Sequence, residues 1–163
     1  MLAILRPLLI ALLTAILVAA ASYPSLAAEV IKVSLVDKGA AMEMPMNLGM
    51  ATGADMSKAT MAIVVDKAKV KAGEVTFDVV NDSKEMIHEM LVAPVADPSK
   101  PLLFIANDVR VDEEAANDLG EVSELDPGKS GSLTVTLSPG TYILYCNVPG
   151  HYMAGMWTLI TVE

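Results

Sequence analysis

Three side chains that can bind a metal ion recur at equal intervals near the carboxyl end of this sequence. Cys146, His151 and Met156 are each separated by five positions, and the only other histidine is His88. A thiolate and a thioether are soft donors and imidazole is borderline, so two His, one Cys and a weak axial Met together favour copper. The sequence therefore predicts one copper ion held by these four residues.

The composition excludes several other kinds of site. With a single Cys the chain has no intrachain disulfide and too few ligands for a structural Cys₂His₂ or Cys₄ zinc site. A tetrahedral zinc site does not normally use a thioether, and a non-haem iron site would need a carboxylate beside two histidines. The formal charge of −9 leaves no basic surface for phosphates, so we expect no nucleic-acid partner.

An enzyme is also not expected. Copper oxidases and reductases need further histidine-rich copper centres, and both histidines of this chain belong to the one predicted site. The carboxylates show no paired spacing that suggests acid–base catalysis. We therefore predict no catalytic residues.

The amino terminus has the pattern of a secretory signal peptide. Arg6 precedes an apolar stretch at residues 8–21, and small residues stand at positions 25 and 27 before the expected cleavage site. The stretch of 14 residues is shorter than the roughly 20 needed to span a bilayer, so membrane attachment is expected only if this segment stays uncleaved. The sequence thus predicts a signal peptide at residues 1–27 and export to the periplasm.

A second group of methionines follows the first predicted strand. Residues 38–61 are glycine-containing and unlike a normal strand, and they hold Met42, Met44, Met46, Met50, Met56 and Met61. One interpretation is an apolar loop or edge segment packed over the domain. The other is a weak Cu(I) site made by Met42, Met44, Met46 and Met50, because thioethers can bind Cu(I) without a thiolate.

The pattern of the rest of the chain predicts an all-β fold. Apolar residues alternate with polar ones, and Gly, Pro, Asn and Asp separate the runs. The stretch 97–125 is ambiguous between one short helix and a long irregular crossover. A Greek-key sandwich or barrel of seven or eight strands is expected. The candidate strands are residues 30–36, 61–66, 74–80, 88–93, 131–137, 141–146 and 157–162.

The sequence resembles the cupredoxins, the small blue copper proteins. The resemblance runs from about residue 69 to 162 and includes Gly140-Thr-Tyr-Ile-Leu-Tyr-Cys146 and the loop that follows it. The spacing on both sides of His151 is similar to that of azurin and auracyanin. The resemblance implies that His88, Cys146 and His151 are the strong ligands, that Met156 is the weak axial one, and that electrons cross at the edge of His151. Glu89 stands where many cupredoxins have an Asn that braces the Cys loop.

Two functions follow from this reading. The first is a periplasmic one-electron carrier whose type 1 copper cycles between Cu(II) and Cu(I), with a redox partner protein such as a cytochrome or a copper oxidase or reductase. The second is a copper-binding homeostasis or resistance protein that uses the methionines. In either case residues 28–60 form an amino-terminal strand plus the Met-rich segment, and residues 61–163 form the cupredoxin-like domain.

Overall fold

Period-two alternation of apolar residues builds the two sheets of this protein. In the computed structural model, which describes residues 28–39 and 43–163, Val75, Phe77 and Val79 are buried while the residues between them face outward. Residues 1–27 and 40–42, which include the predicted signal peptide and Met42, lie outside the described residues. The all-β prediction is confirmed.

The described residues contain eleven strands and little helix. The helical elements are a 3₁₀ helix at Met56–Lys58 and a single turn, α1, at Glu113–Ala116. Sequence periodicity predicted seven of these strands; it missed three that have only two residues and one, Glu121–Leu125, at the edge of a sheet. The strands are β1 Glu29–Asp37, β2 Met61–Val65, β3 Lys69–Val70, β4 Gly73–Asn81, β5 His88–Val95, β6 Phe104–Ile105, β7 Arg110–Val111, β8 Glu121–Leu125, β9 Ser130–Leu137, β10 Gly140–Tyr145 and β11 Trp157–Val162.

The strands form a two-sheet sandwich. One sheet has the order β2-β1-β4-β9 and the other has the order β3-β11-β10-β5-β8, while β6 and β7 make a separate small hairpin. Strands β1 and β4 are parallel, as are β3 and β11, and the remaining neighbours are antiparallel. β1, from the predicted 28–60 segment, is therefore a central strand of the first sheet.

The core between the sheets comes from the inward faces of both, and it includes Ile31, Phe77, Val92 and Leu144. A second apolar cluster lies on the other face of β5 and β10, where Leu91, Ile143 and Tyr145 pack under the stretch that contains β6, β7 and α1. Strands β5 and β10 are consequently buried on both faces. Burial on both sides fixes the two strands that carry the predicted ligands.

The ambiguous stretch 97–125 contains the short helix α1 and three strands, β6, β7 and β8. Asp112 caps α1 by accepting a hydrogen bond from the Ala115 amide, and Asn117 ends the helix in a left-handed conformation. β8 pairs with β5 at the edge of the second sheet, and of its five residues only Val122 is buried. Among residues 28–39 and 43–163, no helix has the length and apolar character needed to cross a membrane.

Candidate metal centre

Two neighbouring strands bring the predicted ligands together at one end of the second sheet. His88 is the first residue of β5, and Cys146 directly follows β10. Because β5 and β10 are antiparallel, with Tyr145 opposite Leu91, the start of one strand lies beside the end of the other. The loop from β10 to β11 then places His151 at the same end of the sheet.

Hydrogen bonds within this loop fix its shape. The Cys146 amide donates to the Met156 carbonyl at 3.1 Å, and the Met156 amide donates to the His151 carbonyl at 3.0 Å. Gly150 and Gly155 adopt φ values of +86° and +95°, which side-chain-bearing residues rarely take. The glycines let the loop turn back twice, so that His151 points inward.

The three strongest donors form a closed cluster. Nδ1 of His88 lies 3.2 Å from Nδ1 of His151, and Sγ of Cys146 lies 3.3 Å from that same His151 nitrogen. All three ligand atoms are within 4.8 Å of one another, and the residues are 0%, 2% and 0% exposed for His88, His151 and Cys146. One ion can span such donors, since metal–nitrogen and metal–sulfur bonds are about 2.0–2.3 Å long.

Electrostatics suit these groups to a metal. Burial raises the pKa of the Cys146 thiol to about 12, with backbone hydrogen bonds opposing the rise. Burial also lowers the pKa of His151 to about 4, and the pKa of His88 is lowered by burial against the opposing effect of Asp37. The imidazoles are therefore neutral, with lone pairs free to coordinate, and the thiol ionises when a cation takes the place of its proton. The donor set fits copper.

Two supports of the thiolate were not predicted from the sequence. The backbone amide of Glu89 donates to Cys146 Sγ at 3.5 Å. Asn147 fastens the loop to β7 and α1: its Oδ1 accepts from the Val111 amide at 2.7 Å, and its Nδ2 donates to the Val111 carbonyl at 3.1 Å and to Glu113 at 2.7 Å. Asn147, the residue after Cys146, therefore braces the Cys loop in this protein, where Glu89 stands in place of the Asn found in many cupredoxins.

A third unpredicted residue, Asp37, lies behind His88. Asp37 is the last residue of β1, and its Oδ2 is 2.8 Å from His88 Nε2. The parallel pairing of β1 with β4 carries it to the site from 51 positions away in the chain. No local motif could have indicated this contact.

Met156 is fully buried in the same core cluster as Cys146, and its backbone is bonded to both Cys146 and His151. Its role as the weak axial ligand stays a prediction. His151 is only 2% exposed, and electron entry at its edge stays a prediction. Part of the Met-rich segment lies against its neighbour Gly150, where a Cβ would be 3.6 Å from both Met44 Cε and Met46 Sδ.

The predicted Cu(I)-binding methionines differ in their exposure to solvent. Met44 and Met46 are 40% and 45% exposed, whereas Met50 is 2% exposed and packs in the second apolar cluster. The segment around Met50 is fastened to the copper loop, since the Leu48 amide donates to the Met153 carbonyl at 2.8 Å and Trp157 Nε1 donates to the Leu48 carbonyl at 2.7 Å. Only Met44 and Met46 of the four thus have accessible thioethers among the described residues.

A β-sandwich with two imidazoles and one cysteine sulfur at one end of its second sheet defines a small copper protein with a mononuclear site. The chain belongs to the plastocyanin/azurin family of copper-binding proteins, whose family model matches residues 46–163. The resemblance to cupredoxins is confirmed, and copper is the cofactor that this site accepts.

Individual relatives agree with this assignment. The chain is 46% identical over 50 residues to auracyanin-B of Chloroflexus aurantiacus, covering 30% of this chain and 21% of that protein. It is 48% identical over 40 residues to the copper-resistant cuproprotein CopI of Pseudomonas aeruginosa, covering 24% and 22%. The matches therefore span about a fifth of the length of these curated relatives. Reduced rusticyanin has the same fold, with a TM-score of 0.51, 16% identity and coverage of 85% of this chain and 82% of that one.

Proposed function

We propose that this protein is a periplasmic one-electron carrier. The observation that carries the proposal is the closed donor cluster of His88, Cys146 and His151, all almost fully buried at one end of β5 and β10, the two strands that are packed on both faces. When bound, copper supplies a one-electron couple. The sequence pattern of residues 1–27 supports export to the periplasm.

The chain's own residues keep the site unchanged during electron transfer. Hydrogen bonds among Cys146, His151 and Met156 hold the loop, and Asn147 fastens it to β7. Among residues 28–39 and 43–163, the three donors are buried and none offers an accessible position at which a substrate could bind. This closure supports a carrier rather than an enzyme.

Electrons would cross at the apolar rim above His151. Met44, Met46 and Pro149 are exposed there, and Met153 is half-buried. A small apolar rim suits a partner that binds briefly, such as a cytochrome or a copper-containing oxidase or reductase. Thioether side chains adapt easily to different surfaces, which favours this transient contact.

Protein-film voltammetry of the copper-loaded protein tests the carrier function. We expect a reversible one-electron wave whose peaks stay close together at fast scan rates, because the ligands do not move on reduction. Replacement of Pro149 by Lys at the rim should slow electron exchange with a redox protein and leave the midpoint potential almost unchanged. Loss of copper on reduction, or an irreversible wave, would contradict the proposal.

A second candidate function is copper homeostasis. The observation that favours it is the placement of the two exposed thioethers of Met44 and Met46 side by side on Gly150, next to a copper ligand. Such a pair can take Cu(I) and leave positions open for a donor or acceptor of the ion. The similarity to a copper-resistant cuproprotein also supports this candidate.

Competition titration separates the two functions. The copper-loaded protein is titrated with Cu(I) against a colorimetric chelator, and homeostasis predicts one further equivalent that is lost in a Met44→Leu, Met46→Leu double variant. Met50→Leu is the matched control, because Met50 is buried. Failure to bind any further Cu(I) would reject the homeostasis function and leave the carrier proposal intact.

A further inference from the structure

Asp37 and His88 form a buried pair on the side of the imidazole that faces away from the other ligands. Asp37 Oδ2 lies 2.8 Å from His88 Nε2, and the two side chains are 2% and 0% exposed. His88 Nδ1, at the other side of the ring, lies 3.2 Å from His151 Nδ1. One ring thus joins a carboxylate to the metal-binding cluster.

The carboxylate is held at both oxygens. Its Oδ1 accepts a hydrogen bond from the Gly39 amide at 2.7 Å, while Oδ2 contacts His88. Gly39 has a φ of +100°, a conformation that favours glycine and turns the chain so that its amide faces Asp37. The end of β1 therefore fixes the position and direction of the carboxylate.

This arrangement determines which nitrogen of His88 can coordinate. An ionised carboxylate only accepts hydrogen bonds, so Nε2 must carry the proton. The lone pair of the neutral ring is then at Nδ1, the atom that faces His151 and Cys146. Carboxylates commonly orient metal-binding histidines in this way and raise the basicity of the coordinating nitrogen.

The carboxylate also has an electrostatic effect. A buried anion is costly unless an opposite charge lies nearby, and copper bound at Nδ1 would supply that charge across the ring. Cu(II) carries one more positive charge than Cu(I), and low local polarity strengthens the attraction. The anion therefore stabilises the oxidised state more than the reduced state.

We propose that Asp37 is a positioning residue that fixes the Nε2-protonated form of His88 and lowers the reduction potential of the copper. The inference rests on the proposed function, since it concerns the same copper couple. A lower reduction potential makes the carrier a better electron donor to its partner. Asp37, at the end of β1, therefore helps to set the direction of electron flow.

Replacement of Asp37 by Asn tests this role, because Asn has nearly the same shape but no charge. We expect the Asp37→Asn protein to bind copper and to keep its visible band, with the equilibrium shifted at least tenfold toward Cu(I), a rise of about 59 mV for a one-electron couple. Asp82→Asn is the matched control: Asp82 is an exposed carboxylate that lines the same surface hollow as Asp37. Water screens it, so its removal should barely move the potential. An Asp37→Asn potential equal to that of the wild type would overturn the inference and leave the carrier proposal standing.

A measurement on the unmodified protein covers the case in which Asp37→Asn does not fold. In ¹⁵N NMR of the diamagnetic Cu(I) form, we expect a slowly exchanging proton on His88 Nε2 with a strongly downfield shift. An Nε2 proton that exchanges freely with water would overturn the inference. Failure of the protein to bind copper at all would instead reject the proposed function.

Discussion

Glu89 is a carboxylate buried next to a metal ligand. Its side chain is 4% exposed, and Oε1 has no hydrogen-bond partner within the described part of the chain. Burial, with the nearby charges of Glu124 and Glu121 adding to it and Arg110 opposing it, raises the pKa of Glu89 from 4.5 to about 7. Its backbone amide supports Cys146, but its side chain is a source of pH-dependent stability.

We predict that Glu89 makes the metal-free protein less stable as the pH rises. The folded-state pKa lies above the unfolded value, so the contribution is fully present below pH 4.5 and is lost as the pH passes through about 7. The shift corresponds to at most about 3 to 4 kcal/mol of unfolding free energy. The buried histidines, whose pKa values are lowered, titrate in the opposite sense in both proteins, so the test is a comparison of variants. Urea denaturation between pH 4.5 and 8 should show the unfolding free energy of the wild type falling relative to that of Glu89→Gln.

An exposed carboxylate provides the control for this experiment. Glu74 lies on the outward face of β4, and Glu74→Gln should keep the wild-type pH dependence. Parallel pH profiles for the wild type and Glu89→Gln would show that the buried carboxylate is not the titrating group.

Asn147 joins two elements that are distant in sequence. Its side chain makes three hydrogen bonds, which connect the end of β10 to β7 and to α1. We expect Asn147→Ala to lower the unfolding free energy by about 3 kcal/mol, because buried groups of Val111 lose their partners at roughly 1 kcal/mol per bond. Chemical denaturation of the metal-free protein measures this loss.

Glu113→Gln is the matched control for Asn147. The Gln side chain keeps an oxygen that can accept from Asn147 Nδ2, so the cost should stay below about 1 kcal/mol. Equal losses for the two variants would mean that the contacts with Val111 contribute nothing.

Strands β1, β4 and β9 could be predicted because their burial alternates along the chain. The structure places β11 at Trp157–Val162, as the pattern predicted, and extends the predicted 88–93 strand to Val95. β8 could not be predicted, since an edge strand with one buried residue has no clear alternation. The two-residue strands depend on tertiary contacts alone.

The residues of the candidate site also differ in how far the sequence alone indicates them. Cys146 and His151 share one loop, so their spacing in the sequence already indicates a ligand pair. His88 was assigned as the remaining histidine, and only the antiparallel pairing of β5 with β10 shows that it reaches them. The Asp37–His88 contact and the packing of Met44 and Met46 against Gly150 could not be predicted, because they join parts of the chain far apart in sequence.

The whole molecule is acidic, with 20 Asp and Glu against 11 Lys and Arg. A negative field attracts cations and repels anions over roughly a Debye length, about 10 Å at 0.1 M salt. We predict that a small cationic reductant such as hexaammineruthenium(II) reduces the copper-loaded protein faster at low ionic strength than at high. Ferrocyanide, an anion, should show the reverse dependence in the same stopped-flow measurement. Equal salt dependence for both reagents would indicate that the charge near the site is balanced.

The central claim is that one copper ion is bound by the Cys146 thiolate together with His88 and His151. Addition of Cu(II) to the protein should produce an intense thiolate-to-copper absorption band in the visible spectrum at one equivalent. The band should be absent in Cys146→Ser, which keeps the size of the side chain but removes the soft donor. A colourless copper adduct of the wild type, or an unchanged band in Cys146→Ser, would contradict the account.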